Sequence, residues 1–159
     1  MPDIPMLRRI LREHRRIAVV GLSADWYRPS FFAAKYMQSH GYQIIPVNPR
    51  HREILGATSY PDLAAAADAA GPVDIVDVFR RPDSAPPLAR EAAAIGAKVL
   101  WLQLGIVSAE AAQIAAAAGL EVVMDRCVKI EHARLFGGLN FVGVNTRVIS
   151  AHRHKIVAN

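Results

Sequence analysis

The feature that most constrains this chain is a strict alternation between two kinds of segment. Short, largely apolar runs occur at Ile17-Ala18-Val19-Val20, Gln43 to Val47, Asp74 to Phe79, Lys98 to Leu102 and Glu121 to Met124, with helical stretches, several rich in alanine, between them. An apolar run of four to six residues bounded by turn formers is a strand buried on both faces, because neither face carries a polar stripe. Parallel strands need a crossover to return the chain, and a helix supplies it. The predicted fold is therefore α/β, a doubly wound and mainly parallel sheet with helices on both faces.

Boundary residues place the helices. Ser30 is expected to cap a helix over Phe31 to His40, with Gly41 as its stop. Asp62 caps a helix to about Ala70, and Pro86 and Pro87 occupy the first turn of a helix that runs to Ile95. Ser108 caps a helix through Ala118, and the last helix covers Lys129 to Phe136. The stretch from Ile54 to Tyr60 reads as irregular. Pro46 is expected near the end of its strand, where a missing donor is tolerated.

With 159 residues, 52% of them hydrophobic and 21% charged, the chain fits one globular domain over 1–159, its core at about 10–135 and a tail at about 137–159. It has no apolar run near the roughly 20 residues of a membrane span, no signal-peptide pattern at Met1-Pro2-Asp3, and one cysteine. A cytoplasmic protein with no membrane partner is expected. The net charge of +5 points to an anionic partner. Arg8, Arg9, Arg12, Arg15 and Arg16 cluster on a short predicted helix and read as a solvated face. Nucleic-acid binding is the other reading of that cluster, and no aromatic–basic interleaving supports it. Homo-oligomers or a partner protein stay open.

In open parallel sheets, ligands bind outside the carboxyl ends of the strands. Arginine stands in or just after four of the five loops there: Arg28, Arg50, Arg80 with Arg81, and Arg126. Cationic forks converging on one edge suit a polyphosphate. The first loop reads Gly21-Leu22-Ser23-Ala24-Asp25-Trp26, so only the first glycine of a dinucleotide fingerprint is present. Gly21 permits the tight turn, while Ser23 offers a hydroxyl and a backbone N–H where the second glycine would sit. The second strand ends in Val47-Asn48-Pro49-Arg50, without the acid that holds an unphosphorylated ribose. Both departures weaken ordinary NAD binding and fit a nucleotide with an extra ribose phosphate, NADP or coenzyme A.

Six runs in register resemble the small stand-alone CoA-binding-domain proteins, relatives of the N-terminal domain of the succinyl-CoA synthetase α subunit. They are Ile17 to Ser23, Arg28-Pro29-Ser30, Gly41-Tyr42 with Pro46 to Pro49, Asp74 to Arg81, Trp101 to Gly105, and Val123 to Cys127. The resemblance implies a Rossmann-like domain that grips coenzyme A or an acyl-CoA. By this likeness Gly21 and Ser23 meet the diphosphate with Arg28 and Ser30 nearby, and Asn48, Pro49 and Arg50 border the adenosine and its 3′-phosphate. Val78, Phe79 and Arg80 line the adenine and pantetheine path, Gln103 lies further along it, and Asp125, Arg126 and Cys127 close the crevice.

No complete catalytic set is legible: no nucleophile–base pair, no paired carboxylates and no metal cluster. Glu131-His132 reads as structural, and His152 and His154 in the tail lack further ligands. Cys127 reads as a small half-buried residue. Arg126 and a helix N-terminus beside it are expected to lower its pKa, which opens a second reading as a redox-linked thiol. The leading function is a non-catalytic CoA or acyl-CoA binding module, regulatory or accessory. The alternatives are an NADP-linked oxidoreductase and a partner-dependent acyl-CoA ligase subunit.

Overall fold

The computed structural model describes residues 3–137. α1 (Ile4–Glu13) is capped by Asp3, whose carboxylate accepts a hydrogen bond from the Met6 N–H at 2.8 Å. Apolar residues recur along it at helical spacing, so Leu7, Ile10 and Leu11 are buried while Arg9 and Arg12 face solvent. Arg15 and Arg16 lie beyond the helix, which corrects the expectation of a single five-arginine helical face. Arg16 opens β1 (Arg16–Val20) and donates to the carbonyls of Ala70 and Pro72 and to Gln43. Arg15 sits 4.7 Å over the Tyr42 ring, and Arg9 pairs with Glu121 and Glu13. These arginines tie the fold to itself.

After β1 come α2 (Pro29–Ser39), β2 (Gln43–Val47), a small hairpin of β3 (Glu53–Ile54) and β4 (Ala57–Thr58), and α3 (Leu63–Ala70). Then follow β5 (Ile75–Val78), α4 (Ala85–Ala94), β6 (Val99–Leu102), α5 (Ala109–Ala117), β7 (Glu121–Val123) and α6 (Val128–Phe136). The hairpin corrects the irregular reading of Ile54 to Tyr60. It is antiparallel and forms a separate two-stranded sheet, while Tyr60 bridges back to Val47. Asp62 and Ser108 cap their helices as expected, accepting from the N–H groups of Ala65 and Ala111 at 2.8 and 3.1 Å. Ser30 does not cap α2. Pro29 starts the helix two residues earlier, Arg28 takes the cap position without a side-chain bond, and Ser30 is buried in the first turn.

The five-stranded sheet has the order β2-β1-β5-β6-β7, and every neighbouring pair is parallel. Successive side chains point to opposite faces, so each strand feeds two cores. Ala18, Val20, Val76, Val78, Leu100 and Leu102 pack under α3, α4 and α5. Ile17, Val19, Ile75, Val99, Trp101 and Val123 pack under α1, α2 and α6. The first layer explains the alanine richness. Ala66, Ala85, Ala89, Ala92, Ala111 and Ala115 are fully buried, and their small side chains let the helices lie close to the sheet and to each other. The second layer is filled by larger groups around Trp101, whose indole N–H donates to the Arg126 carbonyl at 2.8 Å. No helix among the described residues is long and apolar enough to cross a membrane.

Candidate functional site

From β1 the chain crosses to β2 on one side and then to β5 on the other. At such a reversal adjacent loops leave in opposite directions and open a crevice at the carboxyl edge. A crevice of about 1180 Å³ lies there. Its walls follow the strand order. Asn48, Pro49, Arg50 and His51 come from β2, and Gly21, Ser23, Asp25, Arg28, Pro29 and Ser30 from the β1–α2 loop. Phe79, Arg80, Arg81 and Ser84 follow β5, then Gln103, Leu104 and Ile106 follow β6, and Cys127 and Ile130 lie beyond β7. Four inter-strand steps make the edge ~19 Å wide.

Charge is distributed unevenly along this edge. Arg28, Arg50, Arg80 and Arg81 all belong to the β2, β1 and β5 loops, whereas the β6 and β7 portion contributes a carboxamide, a thiol and three aliphatic side chains. The crevice therefore has a cationic half and an uncharged half. The N-terminus of α2 has no side-chain cap and opens on the cationic half; Phe31 and Phe32 donate back to the Arg28 carbonyl, which leaves the Ser30 N–H and the positive end of the helix dipole there.

Local bonding holds the loops in place. Gly21 has φ +83°, and a Cβ there would meet the Phe79 carbonyl oxygen at 2.5 Å, so only glycine lets the β1 and β5 loops approach this closely. The Ser23 N–H is not free as expected from sequence: it donates to Ser30 Oγ at 2.9 Å, and Ser23 Oγ accepts from the Asp25 N–H at 3.0 Å. Asn48 is a brace. Its side-chain amide donates to the Leu22 carbonyl and accepts from the Arg50 N–H, both at 2.9 Å, linking the β2 and β1 loops.

Of the residues expected at the site, three lie off the crevice wall. Val78 is fully buried under α3 to α5, because β5 alternation turns it into the sheet core. Asp125 stands at φ 55° and accepts from the Gly105 N–H at 2.7 Å, so it clamps the β6 and β7 loops together. Arg126 turns inward, its guanidinium 3.8 Å from the buried carboxylate of Glu131. Sequence reading placed no role on Asp25, His51, Ser84, Leu104, Ile106 or Ile130, which also line the crevice. Apart from Leu104 they stand outside the six runs, and only convergence of the loops collects them.

Two further expectations change. Cys127 is in the crevice, but burial pushes its thiol pKa up. The N–H groups of Ile130 and Lys129 and the Lys129 charge oppose the rise, while the Asp77 carboxylate adds to it. The thiol is thus the reverse of the activated group that its neighbours in sequence suggested. Glu131 and His132 lie on the buried face of α6. Glu131 is pinned between Arg126 and Arg134, and His132 Nδ1 is 2.9 Å from the Tyr36 hydroxyl.

Burial, then the neighbouring His40 and Arg15, lowers the His132 pKa from 6.5 to about 4. The unfolded chain takes up a proton as pH falls through 6.5, and the folded protein resists until about 4. Stability is therefore full above 6.5 and is lost across that window. Denaturant titration from pH 7 to pH 4.5 should show a loss of about 1–2 kcal/mol, after solvent screening, that a His132→Gln variant lacks. An equal pH slope in both proteins would contradict it.

The CoA binding domain family matches residues 15–133, from β1 into α6, and so takes in every loop of the crevice. The chain belongs to the CoA-binding domain family. This CoA-binding domain is 43% identical to the Bacillus subtilis (strain 168) protein YneT over 132 residues, which is 83% of this chain and 96% of that protein. The solved structure of a protein from Pyrococcus horikoshii OT3 matches with a TM-score of 0.81 at 36% identity, over 86% of this chain and 94% of that one. A dinucleotide-forming acetyl-coenzyme A synthetase from Ca. Korarchaeum cryptofilum matches with a TM-score of 0.60 at 22% identity, over 70% of this chain and 26% of the synthetase. At that identity the likeness is one of fold, embedded there in a longer chain.

Proposed function

We propose that this CoA-binding domain holds coenzyme A, free or as an acyl-CoA, along the carboxyl edge of its sheet and acts as a non-catalytic regulatory or accessory module. The observation that carries this reading is the one-sided charge of the crevice. Coenzyme A has three phosphate groups at its nucleotide end and a long uncharged arm, and the edge offers four arginines followed by an uncharged half. In this pose Arg50 meets the 3′-phosphate, and Arg28, Arg80, Arg81 and the α2 N-terminus meet the diphosphate. Gly21 lets the backbone come close, and the arm runs past Gln103 toward Cys127.

A binding role is supported by the separation of reactive groups. His51, a candidate base, lies at the β2 end of the crevice, and Cys127 lies beyond β7 with its pKa raised. A general base needs hydrogen-bond reach of its nucleophile, and these two stand on opposite sides of the sheet edge.

Titration calorimetry with coenzyme A, dephospho-CoA and NADP tests the reading. Coenzyme A should bind tightest, with dephospho-CoA at least about 10-fold weaker, since a charge-assisted contact contributes ~1.5–3 kcal/mol. Arg50→Ala should bring the two ligands to nearly equal affinity. Equal binding of dephospho-CoA by the native protein would remove the role given to Arg50, and tighter binding of NADP would replace the ligand.

A further inference from the structure

β5 is buried along its whole length, yet its third residue is an aspartate. Asp77 is 1% exposed, and the register sets it between Val19 on β1 and Trp101 on β6. Among the described residues its one hydrogen-bond partner is Gln103, whose Nε2 donates to Oδ1 at 2.5 Å, and Oδ2 receives no bond. Placing a carboxyl in an apolar wall with a single hydrogen bond from the protein is costly, so packing alone does not account for it. Burial raises its pKa to about 8, and the bond from Gln103 only partly offsets that rise. At neutral pH the group is therefore an uncharged acid.

Gln103 is what this acid holds. Its backbone N–H donates to the Val78 carbonyl at 3.3 Å, it is 3% exposed, and the small surface it retains lines the uncharged half of the crevice. With Nε2 committed to Asp77, its Oε1 accepts no hydrogen bond among the described residues. Around it are Leu104, Ile106, Ile130 and Cys127, so Gln103 is the strongest hydrogen-bonding side chain in that half.

We propose that Asp77 is a positioning residue that fixes the carboxamide of Gln103 as a recognition point for the uncharged, amide-bearing arm of the bound nucleotide. The inference rests on the proposed ligand and adds to it how the arm is read. An acceptor held in an apolar wall selects a ligand N–H, and the arm of coenzyme A carries two amides. An ionised partner for Gln103 would bring a charge into the same wall. A carboxyl that keeps its proton gives a fixed anchor without one, and Cys127 is the titratable group beside it.

The test compares coenzyme A with 3′-phospho-ADP, the same nucleotide without its arm. In the native protein the ratio of their affinities measures what the arm contributes. Gln103→Leu and Asp77→Leu should each cut that ratio by about 10-fold, one hydrogen bond's worth, and leave 3′-phospho-ADP binding unchanged. The double variant should lose no more than either single one, because both act through one carboxamide. Asp77→Asn keeps the acceptor oxygen and should keep the ratio, a rescue that a packing role alone would not produce. An unchanged ratio in both leucine variants, or a ratio lost in Asp77→Asn while its melting temperature is retained, overturns the inference. If neither nucleotide binds the native protein, the proposed ligand falls as well.

Discussion

Gly21→Ala is expected to destabilise the protein by about 2–4 kcal/mol and to abolish measurable nucleotide binding. Two separate physical costs combine. The residue sits at φ +83°, in a region where an L side chain crowds its own backbone at ~1–2 kcal/mol. The added methyl also lies 2.5 Å from the Phe79 carbonyl oxygen and 3.2 Å from Arg80 Nε. A carbonyl fixed at the end of a central strand has little freedom to move, because Phe79 N–H is itself bonded to the Val20 carbonyl at 2.9 Å. Relief must come from parting the β1 and β5 loops, two of the three that wall the cationic half. Urea titration gives the stability change, and calorimetry with coenzyme A gives the binding. A shift under about 0.5 kcal/mol with binding retained would show that the loops are not locked together here.

Asp77→Asn is expected to stabilise the protein at pH 8 and to leave it unchanged near pH 4. The folded protein keeps the Asp77 proton up to about 8, whereas the ordinary carboxyl value is 3.8. Between those limits the unfolded chain gives up a proton that the folded protein retains, so stability falls as pH rises through that window and levels off above it. The full shift sets a ceiling on the order of 5 kcal/mol, and relaxation around the ionised group brings the expected gain to about 1–3 kcal/mol. Asparagine keeps the oxygen that accepts from Gln103 and cannot ionise. Denaturation midpoints of the two proteins should therefore coincide at pH 4 and separate steadily up to pH 8. Parallel curves would mean that Asp77 is ionised in the folded state at neutral pH.

The elements of the sheet were legible because each follows from short-range chemistry. Asp62 and Ser108 cap where their side chains reach free N–H groups, and the five apolar runs became the five paired strands. Ser30 misled for a local reason. Proline at position 29 supplies a helical φ for the first turn, which moves the start two residues back and leaves the serine hydroxyl to hold the Ser23 N–H. Within the candidate site, eleven of the fourteen expected residues line the crevice, because they stand in loops directly after strands. Val78, Asp125 and Arg126 do not. Adjacency in a motif says which loop a residue is in, and strand alternation or a long-range partner decides where its side chain goes.

Asp77 and Gln103 mark the same boundary from the other side. The run Asp74 to Phe79 carries two acids, and nothing local sets Asp77 apart; its meaning required a partner 26 positions away on the neighbouring strand's loop. Alternation of apolar runs and helices, by itself, determined that this chain forms a doubly wound parallel sheet with its loops gathered at one edge, since period and polarity act over a few residues. Only the tertiary structure decided the order of those loops along the edge, and with it the division into a cationic and an uncharged half. Strand order is set by which helices pack on which face, and that packing joins residues too far apart in the chain for any local pattern to encode.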